Sequence, residues 1–243
     1  MEKPCVKIRA ITFDFWRTLF YADSRLQERR QARVDAAVRL TGLPREAVKE
    51  TMKSIAAEFL RIHITEQRTL HPLDAIPMLE RQLNVTLVDD QAVALWEEWA
   101  DALLLYPPEP IEGALEAVRA AANYVPVGLI SDTGISPGPQ IRTLLDRCAF
   151  LDHFASLSFS DEVGAAKPQA AIFDHAVASL EVAPAELLHI GDLEPTDVNG
   201  AHSFGAKAAL FCGDNTRYVE GSQADFIFRN WDEFVERLSR ILD

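Results

Sequence analysis

The stretch ITFDFWRTLF, residues 11–20, ends an apolar segment with a carboxylate. Residues 8–13 have the β-branched and aromatic composition of a strand, with one basic interruption. Asp14 follows where that strand should end, and an acid in this place needs a partner or a function because an unpaired charge is costly to bury. Two residues later, where a second acid would be useful, the chain has Trp16.

Downstream of residue 111 the chain alternates helical segments with short apolar runs. Strands are predicted at 125–131, 156–160, 187–191, 208–212 and 224–228. Helices are predicted at 112–122, 139–147, 168–180, 197–204 and 231–242. Short apolar strands that alternate with helices indicate parallel strands buried on both faces. With the N-terminal strand included, the sequence predicts an α/β fold with a doubly wound parallel sheet.

Residues 22–105 lack a convincing strand pattern and are predicted to be helical. Four helices are expected, at 24–41, 45–62, 72–83 and 89–105. Polar or Gly/Pro-containing breaks separate them, and YPPEP at 106–110 closes the segment like a linker. We therefore predict two domains, an α/β core of residues 1–21 and 109–243 and an inserted helical domain of residues 22–108.

Composition and charge exclude several classes of partner. The 243 residues carry a net charge of −13 and no long basic run, which argues against nucleic acid and acidic membrane surfaces. The amino terminus does not resemble a signal peptide, and no apolar run approaches the ~20 residues of a membrane span. Three scattered cysteines indicate reduced thiols. We expect a soluble cytoplasmic protein, monomeric or homodimeric.

Ligands of doubly wound sheets bind at the carboxyl ends of the strands. Several polar residues of this chain follow predicted strands and should therefore meet at one edge of the sheet. They are Asp14, Thr18, Ser131, Asp132, Lys167, Asp192 and Asp197. Carboxylates, hydroxyls and a lysine at one edge predict a functional site.

These residues also carry a family resemblance. DFWRT at 14–18, LISDTG at 129–134, Lys167-Pro168 and GDLEPTD at 191–197 resemble the four motifs of the haloacid dehalogenase-like (HAD) hydrolase superfamily. The helical insertion stands where that family has its type-1 cap. The resemblance implies a Rossmann-like core with a helical cap. It also implies a Mg²⁺-dependent hydrolase of small phosphorylated metabolites that forms an aspartyl-phosphate.

The resemblance assigns the catalytic and metal roles to specific positions. Asp14 would be the nucleophile, a recognised role of carboxylates. Asp14, Asp192 and the backbone carbonyl of Trp16 would bind Mg²⁺, which prefers oxygen ligands. Lys167 would hold the phosphoryl group and the nucleophile as a point charge. Asp197 would bind or orient the metal shell, or else orient Lys167.

Three further residues are expected on the substrate side of the site. Ser131 would donate its hydroxyl to phosphate oxygens. Thr18 would either lie beside the phosphate or hold the loop after Asp14. Asp132 stands where the family usually has asparagine, and its extra negative charge needs a cation to offset it. Arg17 replaces a small residue and would either point outward or supply that offset.

Trp16 is the largest departure from the family pattern. Phosphatases of the family have a second aspartate there, which protonates the leaving oxygen and later activates water. Indole has no titratable group, and positioned acid–base catalysis contributes roughly 10²–10⁴-fold. Two alternatives therefore stay open. One is a catalytically impaired protein that binds phosphorylated ligands. The other is a 2-haloacid dehalogenase, since those relatives have an aromatic residue at this position but lack the metal-binding acid.

The inserted helices offer candidates that the sequence does not decide. Arg68 and His71 lie in a polar turn that could reach the site, and His63 is nearby in sequence. Each histidine could equally be an ordinary surface or packing residue. His189 precedes the last motif on a buried strand, and we predict a structural role for it.

Overall fold

The strands form one parallel sheet with the first strand near its centre. A computed structural model describes residues 6–66 and 70–242. Within them, the strands are β1 (Ala10–Phe13), β2 (Val127–Ser131), β3 (Ser156–Phe159), β4 (Leu187–Gly191), β5 (Lys207–Phe211) and β6 (Phe226–Phe228). All six are parallel, in the order β3-β2-β1-β4-β5-β6. The doubly wound α/β sheet predicted from the sequence is confirmed.

Helices cover both faces of the sheet. They are α5 (Ala114–Ala122), α6 (Gly138–Arg147), α7 (Ser160–Val163), α8 (Ala170–Leu180), α9 (Asn199–Phe204) and α10 (Trp231–Leu242). Successive residues of a strand point to opposite faces. Ile11 and Phe13 accordingly pack with α5, α6 and α10, whereas Ala10 packs with α8 and α9. None of the helices in the described ranges has the length and apolar character that crossing a membrane requires.

The segment between β1 and α5 is helical, as predicted. Its long helices in the described part are α1 (Leu26–Thr41), α2 (Arg45–Arg61), α3 (Ala75–Leu83) and α4 (Asp89–Leu105). They share a separate apolar core that includes Trp99, whose indole donates a hydrogen bond to the carbonyl of Arg33 at 2.9 Å. Arg68 lies outside the described residues. The division at residues 22 and 108 into core and cap stays a prediction.

Two wide helical turns were not predicted from the sequence. A wide helical turn, Ile62–Glu66, extends α2, and another, Glu194–Val198, precedes α9. In the second turn, Asp197 Oδ2 accepts a hydrogen bond from the Leu193 amide at 2.9 Å. Because the side chain of Asp197 holds this turn, α9 begins at Asn199 rather than at the predicted residue 197.

Candidate active site

Three adjacent strands bring the predicted site residues to one edge of the sheet. Asp14 follows β1, Ser131 ends β2, and Asp192 follows β4. Because β1 pairs with both β2 and β4, these three residues lie at the carboxyl ends of neighbouring parallel strands. The Asp14 amide also donates to the carbonyl of Ile190 at 2.8 Å, which fixes the backbone of Asp14 to β4.

Lys167 joins two of the carboxylates. Its ammonium lies 2.5 Å from Asp14 Oδ1 and 2.6 Å from Asp197 Oδ1, and it donates to the carbonyl of Ile130 at 3.2 Å. Burial alone would lower the pKa of Lys167, but Asp14, Asp197 and Asp132 outweigh it and raise the pKa above its usual value. The lysine is therefore charged. Asp14, Lys167 and Asp197 are called the inner group below.

Both carboxylate oxygens of Asp197 have hydrogen-bond partners. Its Oδ1 also contacts His189 Nε2 at 3.0 Å, and its Oδ2 accepts from the Leu193 amide. Burial raises the pKa of Asp197, but Lys167 and the hydrogen bond with His189 hold it well below its usual range. Gly191 allows this close approach, because an added Cβ would lie 2.2 Å from Asp197 Cγ. With its oxygens committed in this way, Asp197 is arranged to position Lys167.

His189 has the structural place predicted for it. It is fully buried, and its Nδ1 lies 3.0 Å from Thr12 Oγ1 while its Nε2 faces Asp197. Burial lowers the pKa of His189 below its usual value, although Asp197 opposes the shift. A neutral imidazole between a hydroxyl and a carboxylate orients Asp197 without adding charge.

Asp14 and Asp192 both lie where negative charge exceeds positive charge. Burial raises the pKa of Asp14 well above its usual value; Lys167 lowers it, and Asp197 and Asp192 raise it further. Burial, followed by Asp197, raises the pKa of Asp192 to about 7, although Asn215 donates a 2.7 Å hydrogen bond to Asp192 Oδ2 and Arg17 is near. Further positive charge would favour the ionised form of both carboxylates.

The two predicted hydroxyl residues are fully buried. Neither Ser131 Oγ nor Thr18 Oγ1 has a hydrogen-bond partner within the described ranges. A buried hydroxyl without a partner is costly, and Ser131 ends β2, the strand that pairs with β1. A ligand oxygen would supply the missing partner of Ser131. Thr18 is further along the chain, and its carbonyl accepts from the Trp231 indole at 3.2 Å.

Asp132 lies between the inner group and the inserted helices. Its Oδ1 accepts a hydrogen bond from the backbone amide of Lys167 at 3.1 Å, and its Oδ2 is 3.9 Å from Lys167 Nζ. His63 reaches in from the wide turn after α2 and places its Nε2 3.7 Å from Asp132 Oδ2. Burial raises the pKa of Asp132, while Lys167 and His63 lower it. His63 and Asp132 are called the outer pair below.

Among the other histidines considered from the sequence, His71 has a local role. Its Nδ1 accepts from the Leu73 amide at 3.2 Å, and its own amide donates to Asp74 at 2.9 Å. These bonds cap the short helical turn Pro72–Asp74. Sequence alone gave no means of separating His63 from His71, because the contact of His63 with Asp132 exists only after the helices fold over the sheet.

Trp16 and Arg17 contact different residues. The Trp16 ring packs edge-on against Phe15 with centroids 4.7 Å apart, and the guanidinium carbon of Arg29 lies 5.9 Å from its centroid. Arg17 adopts φ +58°, uncommon for a residue with a side chain. Its guanidinium pairs with Asp23 at 2.6 Å and Asp214 at 3.0 Å. The charge of Asp132 is thus faced by Lys167 and His63 rather than by Arg17.

Arg29 contacts both chain connections of the helical segment. It donates to the carbonyls of Ala22 and Ser24, each at 2.8 Å, and to that of Tyr106 at 3.0 Å. Burial lowers the pKa of Arg29 to about 10. Arg29 and Asn215 were both missed from the sequence. Asn215 follows β5, so the strand-end rule that selected Asp14 and Asp192 would have found it.

The donor set fits a hard divalent cation better than a transition metal. No group of three or more His, Cys, Asp or Glu side chains in the described part of the chain is arranged to hold a metal ion. Mg²⁺ does not need such a group, because it commonly binds one or two carboxylates together with water and substrate phosphate. Asp14 and Asp192 are two buried carboxylates with raised pKa values. Two buried carboxylates with neighbouring acids and, within the described residues, only one lysine among them fit a bound cation here.

Comparison with protein families identifies the chain. A family model described as haloacid dehalogenase-like hydrolase matches residues 8–205. The chain belongs to this hydrolase family. The match runs from the residues before β1 to the end of α9, so it includes the site residues of β1, β2 and β4 and the whole helical segment. The family resemblance carried by the four motifs is confirmed.

One curated relative of this HAD-like hydrolase is a nucleotidase. The pyrimidine 5'-nucleotidase YjjG of Escherichia coli (strain K12) is 30% identical over 144 residues. The aligned part covers 52% of this chain and 61% of YjjG. The chain therefore spans less than two thirds of the length of this relative.

Solved structures of low sequence identity show the same fold. The HAD-hydrolase YfnB of Bacillus subtilis, bound to magnesium, has a TM-score of 0.67 and 16% identity, with 98% of this chain and 99% of that chain covered. The 2-haloacid dehalogenase of Pseudomonas syringae pv. Tomato DC3000 has a TM-score of 0.71 and 19% identity, with 96% and 99% covered. At such identities the likeness establishes the fold alone.

Proposed function

We propose that this HAD-like hydrolase is a Mg²⁺-dependent phosphatase that acts on small phosphorylated metabolites through an aspartyl-phosphate on Asp14. The observation that carries the proposal is the inner group, in which the Lys167 ammonium lies 2.5 Å from Asp14 Oδ1, together with the unpartnered hydroxyl of Ser131 at the end of the neighbouring strand β2. A carboxylate, a fixed cation and a free donor are the groups that an attack on a phosphoryl centre requires.

The chain's own residues account for most of the first step. An Asp14 oxygen attacks phosphorus, and the bond from phosphorus to the ester oxygen breaks. Lys167 favours the ionised form of Asp14 and offsets the charge on the phosphoryl oxygens, to one of which Ser131 donates. Asp197 and His189 hold Lys167 in place. Water then attacks the aspartyl-phosphate, which releases inorganic phosphate and restores Asp14.

Asp14, Asp192 and the carbonyl of Trp16 would hold Mg²⁺, with Asn215 orienting Asp192. When bound, Mg²⁺ supplies positive charge that lets an anionic substrate approach the carboxylates. The nucleotidase relative suggests nucleoside monophosphates as one substrate class to test. Trp16 supplies no proton for the leaving oxygen, so that proton has to come from elsewhere, or the leaving group must depart as a stable anion.

A phosphatase assay with 4-nitrophenyl phosphate tests the proposal. Wild type should turn over the ester with Mg²⁺ and lose activity with a chelator. Asp14→Asn should be inactive, whereas Asp174→Asn, at an exposed position of α8, should match wild type. Turnover that persists in Asp14→Asn, or that does not need a divalent cation, would exclude the mechanism. Mg²⁺ binding without turnover would instead favour a binding protein.

A second candidate function is 2-haloacid dehalogenation, which the aromatic residue at position 16 favours. In that reaction Asp14 would attack carbon and displace halide, and no cation would be needed. The buried Asp192 with its raised pKa argues against it, because a metal-free site gains nothing from that carboxylate. Halide release from a 2-haloacid in the presence of a chelator, lost in Asp14→Asn, would replace the phosphatase proposal.

A further inference from the structure

A phosphatase with Trp16 has no acid at position 16 to protonate the leaving oxygen. The outer pair lies on the side of the site that the leaving oxygen faces. In an in-line displacement the attacking and leaving oxygens lie on opposite sides of phosphorus. Asp14 attacks from the end of β1, so the leaving oxygen faces away from the sheet. His63 belongs to the helical segment and reaches the site from that outer side, where it meets Asp132.

The local backbone around His63 is unusual and well supported. His63 lies in the wide turn Ile62–Glu66, and wide turns within helices are frequent at functional sites because they redirect side chains. Arg61 supports the turn by pairing with Glu58 at 2.7 Å and Glu66 at 2.8 Å. Ile62, the first residue of the turn, is buried. Neighbouring residues thus fix the turn that positions His63.

We propose that His63, oriented by Asp132, transfers the proton that the leaving oxygen needs and that Trp16 cannot supply. This inference rests on the proposed phosphatase function. The 3.7 Å separation of His63 Nε2 from Asp132 Oδ2 is longer than a hydrogen bond. The Nε2 atom therefore faces the carboxylate without being committed to it and stays available to a substrate oxygen. Asp132 itself is fixed by the Lys167 amide, which ties the outer pair to the inner group.

The proton balance is complete over two steps. As Asp14 bonds to phosphorus and the ester bond breaks, the ester oxygen takes the Nε2 proton of the His63 imidazolium and leaves as an alcohol. The neutral imidazole then takes a proton from the water that attacks the aspartyl-phosphate. The bond between Asp14 and phosphorus breaks, inorganic phosphate leaves, and the imidazolium is restored. In these steps His63 touches the reacting atoms, and Asp132 is a positioning residue.

Leaving-group dependence tests the inference. We would measure kcat/KM with Mg²⁺ for ethyl phosphate, whose alkoxide needs a proton, and for 4-nitrophenyl phosphate, whose anion is stable. His63→Gln should lower kcat/KM for ethyl phosphate by roughly 10²-fold or more. It should change kcat/KM for the aryl ester by less than about threefold, since kcat/KM reports transition-state stabilisation up to the first irreversible step. A burst of nitrophenol should then appear as the aspartyl-phosphate accumulates.

Two further variants complete the test. Asp132→Asn keeps an acceptor for the Lys167 amide and removes only the charge, so it should show a smaller loss that is also selective for the alkyl ester. His202→Gln is the matched control, because His202 pairs with Asp225 at 2.9 Å on the exposed surface of the core. It should match wild type on both esters. Retained aryl turnover shows that each variant is folded.

The outcomes separate the inference from the proposed function. An equal loss on both esters in His63→Gln, or no loss on either, overturns the role of His63 while Asp14-dependent aryl turnover leaves the phosphatase proposal standing. Failure of wild type to turn over any phosphate ester overturns both.

Discussion

The inner group and the outer pair each combine a basic side chain with carboxylate, but they differ in contact distance and in exposure to solvent. In the inner group Lys167 is within 2.6 Å of both carboxylates, and its side chain is 2% exposed. In the outer pair the two side chains are 3.7 Å apart and are 17% and 15% exposed. The inner residues come from segments joined to paired strands, whereas His63 comes from the inserted helices. Firm contacts suit a nucleophile that must keep one geometry, and loose contacts suit a proton carrier that must exchange partners.

The largest expected effect comes from breaking the inner group. Lys167→Met leaves Asp14 and Asp197 buried without their shared cation, so the free energy of unfolding should fall by about 3–5 kcal/mol. The kcat/KM for an aryl phosphate should fall by roughly 10³-fold. Chemical denaturation should show a smaller stability loss near about pH 5 than near about pH 8, because protonated carboxyl groups do not need the ammonium. Lys49→Met, at an exposed position of α2, is the control.

A pH-independent loss in Lys167→Met would contradict this account. It would mean that the side-chain volume of Lys167, rather than its charge, stabilises the inner group.

A smaller effect on activity is expected at Ser131, at the end of β2, where the change in kcat/KM and the change in stability should differ in sign. Ser131→Ala removes a buried hydroxyl that has no partner, so the free energy of unfolding should not fall and should rise by up to about 1 kcal/mol. The kcat/KM for an aryl phosphate should nevertheless fall by roughly 10²-fold, because a donor to the phosphoryl oxygens is lost. Thermal denaturation and steady-state kinetics on the same samples measure the two effects.

Ser156 provides the matched control for Ser131. Its hydroxyl is also buried without a partner, but it begins β3 at the opposite edge of the sheet. Ser156→Ala should change stability in the same direction and leave kcat/KM unchanged. If Ser131→Ala also left kcat/KM unchanged, Ser131 would not be a phosphate donor.

The smallest expected effect on stability comes from the histidine–aspartate pair of His202 and Asp225 on the surface of the core. Burial raises the pKa of Asp225, but bonds from the Ala208 amide and His202 outweigh it and lower the pKa. A lowered pKa contributes stability above the unfolded value of about 3.9, and that stability is lost as pH falls through the folded pKa. Asp225→Asn should therefore lower the free energy of unfolding near about pH 7 by only about 0.5 kcal/mol, given solvent screening.

The same comparison should be repeated at progressively lower pH, and the wild type and Asp225→Asn should converge as pH falls below the folded pKa of Asp225. Activity on aryl phosphate should be unchanged at neutral pH. A difference in stability that persists in acid would point to the hydrogen bonds of Asp225 rather than to its charge.

The fold could be predicted closely because local patterns determine it. Buried apolar runs located the strands to within a few residues, and the polar residues after them gave Asp14, Ser131 and Asp192. The contacts of His63 and Arg29 could not be predicted, since each depends on how distant helices pack. Asp197 could be placed in the site from sequence, but its hydrogen bonds to Lys167, His189 and Leu193 emerged only from the three-dimensional arrangement.

Arg29 has a consequence for movement of the helical segment. The Arg29 guanidinium donates hydrogen bonds to carbonyls of both connecting segments, at Ala22, Ser24 and Tyr106. The two connections to the helical segment should therefore move together. A rotation of α1–α4 that preserves these bonds must have its axis close to Arg29. Trp16 lies beside that guanidinium and would therefore move little. His63, in a different part of the segment, would travel further, so closure would change the reach of the histidine and leave the tryptophan in place.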